Sequence, residues 1–305
     1  MQDTPSSPLV VGIDVGGTKT QLRALTGADP VADPVADHVR PSTGWRPHDP
    51  AAAAHWLTAL VHEALPAGTR PTALAVGGHA CETPRQCAGI AAALRESLDV
   101  PVLVVGDAEL LVPAAGLDKG VGLVAGTGSV AVGRQADGSP VQVGGWGAVL
   151  GDEGGAAGLV REAARAVWAA HDRGETPDAL ATGLTAAFEV PEVPALGAAL
   201  ESASSVSSEW GRHAPVLFAA ADAGSRLAQD VIADGGRALA ALVARLADRG
   251  LAVDDVVVAG GTILSQPRLY DAFAAALADA VPGARPQRLR VPPVEGAVAL
   301  ARSIR

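Results

Sequence analysis

Two segments of the sequence share one pattern: an apolar run, a glycine-rich turn with a threonine, and a second apolar run. The first covers residues 10–25 around Gly16-Gly17-Thr18-Lys19, and the second covers residues 121–133 around Ala125-Gly126-Thr127-Gly128-Ser129. After the first turn, polar and apolar residues alternate as they do in a strand. Each segment is therefore predicted to form a β-hairpin, and the repeat predicts a chain of two related halves.

The first turn matches neither of two common phosphate-binding loops. A Walker loop requires Gly-x-x-x-x-Gly-Lys-[Ser/Thr], and counting from Gly12 the lysine falls one position late. A Rossmann turn requires Gly-x-Gly-x-x-Gly before a helix, whereas a strand is predicted here. Backbone N–H groups of a glycine turn can still bind an anion, and two facing turns can hold a polyphosphate. A plain hairpin turn remains the alternative.

Two further glycine-containing segments follow buried strands. Gly106-Asp107-Ala108-Glu109 follows the apolar run 100–105, and an acid at the carboxyl end of such a strand has the usual position of an α/β active site. Position alone favours the alternative, in which Asp107 caps the next helix. Gly260 and Gly261 follow the strand 255–259, where they suit close approach of an adenine or ribose, or a tight turn.

The segment 144–158 is rich in glycine and carries Gly145-Trp146-Gly147 and Gly151-Asp152-Glu153-Gly154. Glycine costs backbone entropy, about 0.5–1 kcal/mol relative to alanine, so this density suggests that backbone approaches a ligand. Trp146 can stack on an apolar ring face, and Asp152 or Glu153 can accept hydroxyl protons. The alternative is a mobile linker.

Composition excludes several classes of partner. The chain has 305 residues, 49% of them hydrophobic, and a formal net charge of −10 without a basic run, which argues against nucleic acid and anionic membranes as partners. We expect no signal peptide in the polar segment 1–8 and no membrane-spanning segment. Cys81 and Cys87 do not form a disulfide framework, so a reducing cytoplasm is the expected location.

Strands alternating with helices predict an α/β fold, with a turn-rich domain boundary at residues 116–120. Besides those above, strands are predicted at 35–40, 71–76, 141–143 and 288–291. Helices are predicted at 49–65, 85–98, 107–115, 161–171, 178–188, 193–203, 225–249, 267–278 and from 292, and an exposed serine-rich segment at 202–208.

Five segments in this order resemble the N-acetylglucosamine kinase family, grouped with the BadF/BadG/BcrA/BcrD-type ATPases in the superfamily of sugar kinases, heat-shock ATPases and actin. They are residues 14–18, 106–109, 125–129, 145–154 and 259–261, and the closing Pro293-Val294-Glu295-Gly296-Ala297 also matches. The resemblance implies a two-lobed, ribonuclease-H-like (actin-like ATPase) fold with nucleotide in the interlobe cleft. The lobes would be residues 1–116 and 117–305, with the last helix, 294–304, packing on the N-terminal lobe.

The resemblance also implies ATP and Mg²⁺ as cofactors, a homodimer, and transfer of the γ-phosphate to the 6-hydroxyl of an amino sugar. By it, Asp107 is the catalytic base and Asp14 positions Mg²⁺. The nucleotide would be bound by Gly16, Gly17, Thr18, Lys19, Gly126, Thr127, Gly128, Gly224, Gly260 and Gly261. The sugar would be bound by Ser42, Trp45, Gly78, Asp107, Ser129, Gly145, Trp146, Gly147 and Asp152.

The acceptor sugar stays open at this point. N-acetylglucosamine is favoured because the Gly-Trp-Gly and Gly-Asp-Glu-Gly loop is retained, with glucosamine and N-acetylmuramic acid as alternatives. The alternatives stay open because Gly44 stands where the family usually carries a sugar-contacting asparagine, which Ser42 or Trp45 can replace. An iron–sulfur activator of 2-hydroxyacyl-CoA dehydratases is disfavoured by the positions of Cys81 and Cys87. A sugar-sensing regulator is disfavoured because no basic helix-turn-helix is visible. His79 follows a glycine pair, although a structural or solvent-facing role is favoured for it.

Overall fold

The computed structural model describes residues 8–27, 33–203 and 205–304. Contacts within the chain divide it into two compact units. The first unit contains the residues up to Lys119 together with those from Leu289 onward, and the second unit is Gly120–Arg288. The end of the chain therefore belongs to the same unit as its beginning.

The first unit is built on a five-stranded sheet with the order β3-β2-β1-β4-β5. The first three strands pair antiparallel, whereas β1, β4 and β5 run parallel. Because parallel strands end at the same edge of a sheet, the residues at the ends of β1, β4 and β5 lie near one another. The strands are β1 (Leu9–Val15), β2 (Lys19–Thr26), β3 (Ala36–Pro41), β4 (Ala73–Gly78) and β5 (Val102–Gly106).

Helices cover both faces of this sheet, which explains why β1 is apolar almost throughout. Its odd-numbered residues pack with α1 (Pro50–Ala64) and α2 (Pro84–Leu98) in one core cluster. On the other face Val10 packs with the chain's final helix, Val294–Ser303. This helix lies so close to β1 that a Cβ atom at Gly12 would be 2.5 Å from the backbone nitrogen of Val298. Glycine at that position is therefore a packing requirement.

The second unit repeats the same sheet topology, with the order β10-β9-β6-β7-β8. As in the first unit, the first three strands of this sheet along the chain, β6, β7 and β8, pair antiparallel, whereas β6, β9 and β10 run parallel. The repeated hairpins predicted from the sequence are both present. The strands are β6 (Val121–Ala125), β7 (Ser129–Arg134), β8 (Pro140–Gly144), β9 (Asp255–Ala259) and β10 (Arg285–Arg288).

Most helices belong to the second unit and enclose its core. The longest, Arg226–Asp248, packs extensively on Pro267–Ala280 and buries Leu239 and Val243. Its N-cap Ser225 is buried and its hydroxyl accepts a hydrogen bond from the Ala228 N–H at 3.0 Å. In chain order the helices are α3 (Leu111–Ala114) in the first unit, then α4 (Ala156–Asp172), α5 (Ala179–Ala187), α6 (Leu196–Glu201), α7 (Val206–Gly211), α8 (Ala214–Asp222), α9 (Arg226–Asp248), α10 (Gly261–Ser265) and α11 (Pro267–Ala280), with α12 (Val294–Ser303) closing the first unit.

Strand β10, the serine-rich segment and three short helices differ from the sequence-based predictions. The strand predicted at 288–291 is Arg285–Arg288, because its pairing with β9 places Arg285 beside Asp255. The serine-rich segment, of which Ser204 lies outside the described residues, contains the start of α7. Helices α7, α8 and α10 were not predicted, since short helices carry little periodicity. None of the described helices combines the length and hydropathy needed to cross a membrane.

Candidate active site

In the first unit, two acidic side chains lie at the edge where the parallel strands end. Asp14 is the penultimate residue of β1 and pairs in register with Gly77 of β4, while Gly78 pairs with Gly106 at the end of β5. Asp107 follows directly after β5. Sheet topology thus places Asp14, Gly78 and Asp107 at one edge, as their positions in the sequence predict.

The charge of Asp107 acts on the carboxyl group of Asp14. The pKa of Asp14 is raised from 3.8 to about 7, first by burial and then by the negative charge of Asp107, while Lys19 acts in the opposite direction. Two like charges in a partly buried site attract a divalent cation. Mg²⁺ is usually held by one or two carboxylates together with waters and substrate phosphates rather than by an all-protein cage. These donors fit that pattern, and no group of three or more His, Cys, Asp or Glu side chains suited to a metal exists among the described residues.

Asp107 is oriented by its own turn. One carboxylate oxygen, Oδ1, accepts a hydrogen bond from the Ala108 N–H at 2.9 Å. The other, Oδ2, lies 3.4 Å from Nδ1 of His79. The prediction that Asp107 caps the following helix is wrong. A short 3₁₀ helix, Asp107–Leu110, follows β5; Gly106 is its N-cap, and Glu109 accepts the Gly106 N–H at 2.9 Å. The Asp107 carboxylate is therefore not consumed by capping.

The first glycine turn is hydrogen-bonded to Ser42, in the loop after β3. The Gly16 N–H donates to the Lys19 carbonyl at 3.0 Å, and Gly17, Thr18 and Lys19 are exposed. Ser42 braces the turn, because its hydroxyl donates to the Gly16 carbonyl at 2.7 Å and its N–H donates to the Thr18 carbonyl at 3.1 Å. The turn therefore has three exposed residues, and its backbone is held in place by hydrogen bonds to Ser42.

Trp45 reaches the same region. Its Nε1 donates to the His79 carbonyl at 2.8 Å, and its ring centroid lies 5.8 Å from that of Trp56. A Cβ atom at Gly78 would lie 3.1 Å from Cζ2 of Trp45, so glycine leaves room for the indole. Ser42, Trp45 and Gly78, predicted as sugar-binding residues, thus lie in the neighbourhood that also contains Asp107.

In the second unit, the turn of the second hairpin is fixed by two other elements. The Gly126 carbonyl accepts the Ala156 N–H at 2.8 Å and the Thr262 hydroxyl at 2.7 Å. Gly260 has a φ of +107°, and a Cβ there would lie 2.4 Å from the Ala125 carbonyl oxygen. The predicted nucleotide-binding residues of this unit, Gly126, Thr127, Gly128, Gly260 and Gly261, therefore form one connected group.

The glycine-rich loop places a buried carboxylate against the second turn. Asp152 is 7% exposed and has a φ of +56°. Its carboxylate accepts the N–H groups of Ser129 and Gly147; burial raises the pKa of Asp152, and these hydrogen bonds oppose the rise. A Cβ at Gly128 would lie 2.4 Å from Oδ2 of Asp152. Four predicted site residues (Gly128, Ser129, Gly147 and Asp152) thus meet here.

Three predicted residues of this unit remain. The Gly145 N–H donates to the Ser129 carbonyl at 2.8 Å, whereas Trp146 and Gly224 have different surroundings. Trp146 is 76% exposed, so its ring is available to a ligand. Gly224 lies in an exposed turn after α8 with a φ of +91°, and a Cβ there would meet no atom within 4 Å. The structure therefore shows no contact between Gly224 and the predicted nucleotide-binding residues around Gly126.

Residues 11–301 match the model of the BadF/BadG/BcrA/BcrD ATPase family. The chain belongs to this family. The predicted resemblance is confirmed at that level, and the BadF-type match covers nearly the whole chain, as predicted.

An N-acetylmuramic acid/N-acetylglucosamine kinase from Clostridium acetobutylicum is 39% identical over 77 residues. That match spans 24% of this chain and 25% of the relative, about a quarter of its length.

Two solved structures share the fold across almost the full chain. A proposed N-acetylglucosamine kinase from Chromobacterium violaceum has a TM-score of 0.71 and 22% identity, covering 97% of this chain and 100% of that one. A ROK family glucokinase from Streptomyces griseus, in complex with glucose and AMPPNP, has a TM-score of 0.55 and 17% identity, covering 97% and 99%. The predicted α/β, actin-like ATPase fold class is confirmed.

Two residues of this BadF-type chain were missed or undervalued by sequence reasoning. Arg161 on α4 donates to the carbonyls of Ala148 and Gly151, the latter at 2.8 Å, and so holds the glycine-rich loop. A single arginine early in the helix after that loop was the available signal. His79 contacts Asp107, although a structural or solvent-facing role was favoured for it.

Proposed function

We propose that the protein is an ATP-dependent kinase that transfers the γ-phosphate of ATP to the 6-hydroxyl of an amino sugar. N-acetylglucosamine is the acceptor that we favour. The observation that carries the proposal is the pair Asp14 and Asp107 at one sheet edge, close enough for the charge of one to raise the pKa of the other. Membership of an ATPase family and the name of the Clostridium acetobutylicum relative support it.

Asp107 is the base in this proposal. Phosphoryl transfer depends on positioning and charge stabilisation more than on covalent catalysis, so one carboxylate that orients and deprotonates an alcohol is sufficient. Oδ1 is held by the Ala108 N–H, which leaves the carboxylate in a defined orientation at the edge of the sheet. The sugar oxygen forms the new bond to phosphorus, the bond to ADP breaks, and the hydroxyl proton passes to Asp107.

Asp14 would hold Mg²⁺, because its carboxylate is largely buried beside a second carboxylate. Bound Mg²⁺ neutralises charge on the transferred phosphoryl group. In the first unit, phosphate is proposed to bind at the glycine turn that Ser42 stabilises, which consists of Gly16, Gly17, Thr18 and Lys19. Backbone N–H groups suit this task because they add no side-chain bulk.

In the second unit, the proposal assigns phosphate contacts to Gly126, Thr127 and Gly128 and adenosine contacts to Gly260 and Gly261. Gly224 remains a candidate from the resemblance alone. The proposed sugar contacts of both units are Ser42, Trp45, Gly78, Ser129, Gly145, Trp146, Gly147 and Asp152. The buried Asp152 carboxylate and the exposed Trp146 ring offer the hydroxyl acceptor and the apolar stacking face that a sugar requires.

Glucosamine and N-acetylmuramic acid remain alternative acceptors. Gly44 has a φ of +92°, and a Cβ there would lie 3.2 Å from Nε1 of Trp56. An asparagine side chain at this position would be strained. With Gly44 in its place, the chain lacks the polar contact to the sugar that the family's asparagine would make, and Ser42 and Trp45 are left to provide others.

The test is an ADP-release assay with ATP and Mg²⁺ across N-acetylglucosamine, glucosamine, N-acetylmuramic acid and glucose, with ³¹P NMR of the product to locate the phosphate. We expect Asp107→Asn to lose turnover by at least about 10²-fold, as general-base loss predicts, while ATP binding persists. Asp172→Asn, an exposed change at the end of α4, is the control. If no sugar accelerates ADP release by the wild-type protein, the proposed function is wrong.

We further propose a homodimer, which light scattering coupled to size-exclusion chromatography tests directly. A cytoplasmic location is proposed because ATP is the phosphate donor and because a chain with only two cysteines has no disulfide framework. Thiol labelling of the denatured protein from freshly lysed cells would show both cysteines reduced, and a disulfide would contradict this location.

A further inference from the structure

His79 lies between the proposed base and the first glycine turn. Its Nδ1 is 3.4 Å from Oδ2 of Asp107. Its other ring nitrogen, Nε2, faces the turn, since a Cβ atom at Gly17 would lie 3.5 Å from it. One imidazole therefore contacts the carboxylate with one nitrogen and approaches the exposed backbone of the turn with the other.

The backbone of His79 is anchored on both sides. Its N–H donates to the Val15 carbonyl at 2.7 Å, which ties it to the end of β1 beside Asp14. Its carbonyl accepts the Trp45 indole N–H at 2.8 Å. These two hydrogen bonds fix the backbone of His79, and the ring itself is 55% exposed and therefore accessible to a ligand.

The charges around the ring favour its protonated form. The hydrogen bond to Asp107 raises the pKa of His79, burial lowers it, and the negative charges of Asp107 and Glu82 raise it further. Lys19 on β2 is the basic side chain whose charge acts on Asp14. These interactions favour the protonated imidazole of His79 beside the Asp107 carboxylate.

We infer that His79 is a positioning residue of the proposed kinase reaction. Its Nδ1–H holds the Asp107 carboxylate, and its Nε2–H is directed at the phosphoryl group bound by the turn Gly16–Lys19. The inference rests on the proposed function, and it places a second cationic group beside the turn, in addition to Lys19. A cation at that place stabilises the charge that spreads over the phosphoryl oxygens during transfer.

The kinetic test compares three substitutions. His79→Asn places an amide nitrogen where Nδ1 lies and keeps the hydrogen bond to Asp107, His79→Gln extends its amide toward Gly17, and His79→Ala removes both donors. We expect kcat to fall about 10²- to 10³-fold in His79→Ala, in line with the loss of one transition-state donor, with partial recovery in the amide variants. The KM for the sugar should change little.

The pH profile separates this role from a merely structural one. Wild-type kcat should decline at alkaline pH as the imidazolium loses its proton, and this limb should be absent in His79→Asn. His55→Asn, an exposed histidine on α1, serves as the matched control and should leave both kcat and the profile unchanged. An unchanged kcat and profile in His79→Ala would overturn the inference.

An NMR titration tests the pair without any turnover. The His79 ring should titrate above the range of a free histidine in the wild-type protein, and Asp107→Asn should lower its pKa. If the wild-type enzyme phosphorylates no sugar, the proposed function fails while this titration still decides whether the pair exists. Identical titration of His79 in both proteins would refute the pair and with it the inference.

Discussion

Asp14→Asn should stabilise the metal-free protein at neutral and alkaline pH. Asp14 lies largely buried at the end of β1, where its pKa of about 7 shows that the folded protein favours the neutral carboxyl. Asparagine has the same shape and stays neutral at every pH. The substitution therefore removes the cost of burying a second negative charge beside Asp107 without creating a cavity.

The magnitude follows from the two pKa values. In the unfolded chain Asp14 releases its proton near 3.8, whereas in the folded protein it keeps the proton up to about 7. The stability associated with the neutral carboxyl is thus fully present below about pH 4 and is lost as the pH rises to about 7. A shift of about 3 units corresponds to about 4 kcal/mol, so the advantage of Asp14→Asn should grow across this window and level off above it.

The assay is urea unfolding of both proteins at a series of pH values from 5 to 8, in EDTA. The difference in free energy of unfolding should increase by about 2–3 kcal/mol across this range. Asp172→Asn provides the control for a surface carboxylate. Because metal binding requires the ionised carboxylate, Mg²⁺ should raise the stability of the wild-type protein above pH 7 and leave Asp14→Asn unaffected.

A pH-independent difference between the two proteins would refute the reasoning, since it would show that Asp14 has the same pKa in the folded and unfolded states. Asp107→Asn gives a second check. Removing the neighbouring charge should lower the pKa of Asp14 and weaken the pH dependence, while burial keeps part of it.

The remaining predictions concern the second unit. Gly128→Ala should destabilise it by about 1–3 kcal/mol in urea unfolding, because the new Cβ would overlap the Asp152 carboxylate, whereas Gly261→Ala, with open surroundings, should be close to neutral. Equal effects of the two changes would contradict this. Arg161→Ala should increase hydrogen exchange at residues 147–151, since it removes the two hydrogen bonds that hold this loop. Unchanged exchange would show that the glycine-rich loop is held by other contacts.

Local sequence patterns were sufficient for the long elements. The apolar periodicity of α9 and the buried run of β9 predicted both elements to within a few residues. They were insufficient for α7 and for the position of β10, where pairing with β9 rather than propensity decides which residues are extended. The N-cap of the 3₁₀ helix after β5 was also misplaced by one residue, since capping depends on backbone geometry.

The sequence by itself determined the repeat of two glycine-turn hairpins, the family and the acids that end two strands, because these depend on residue types at short spacing. Only the tertiary structure decided which of these residues meet. His79 contacts Asp107 because β4 and β5 are parallel neighbours that end at the same edge. Asp152 faces Ser129 and Gly147 because its backbone adopts a positive φ in a loop held by Arg161. Such contacts depend on strand order and loop closure, which spacing along the chain does not contain.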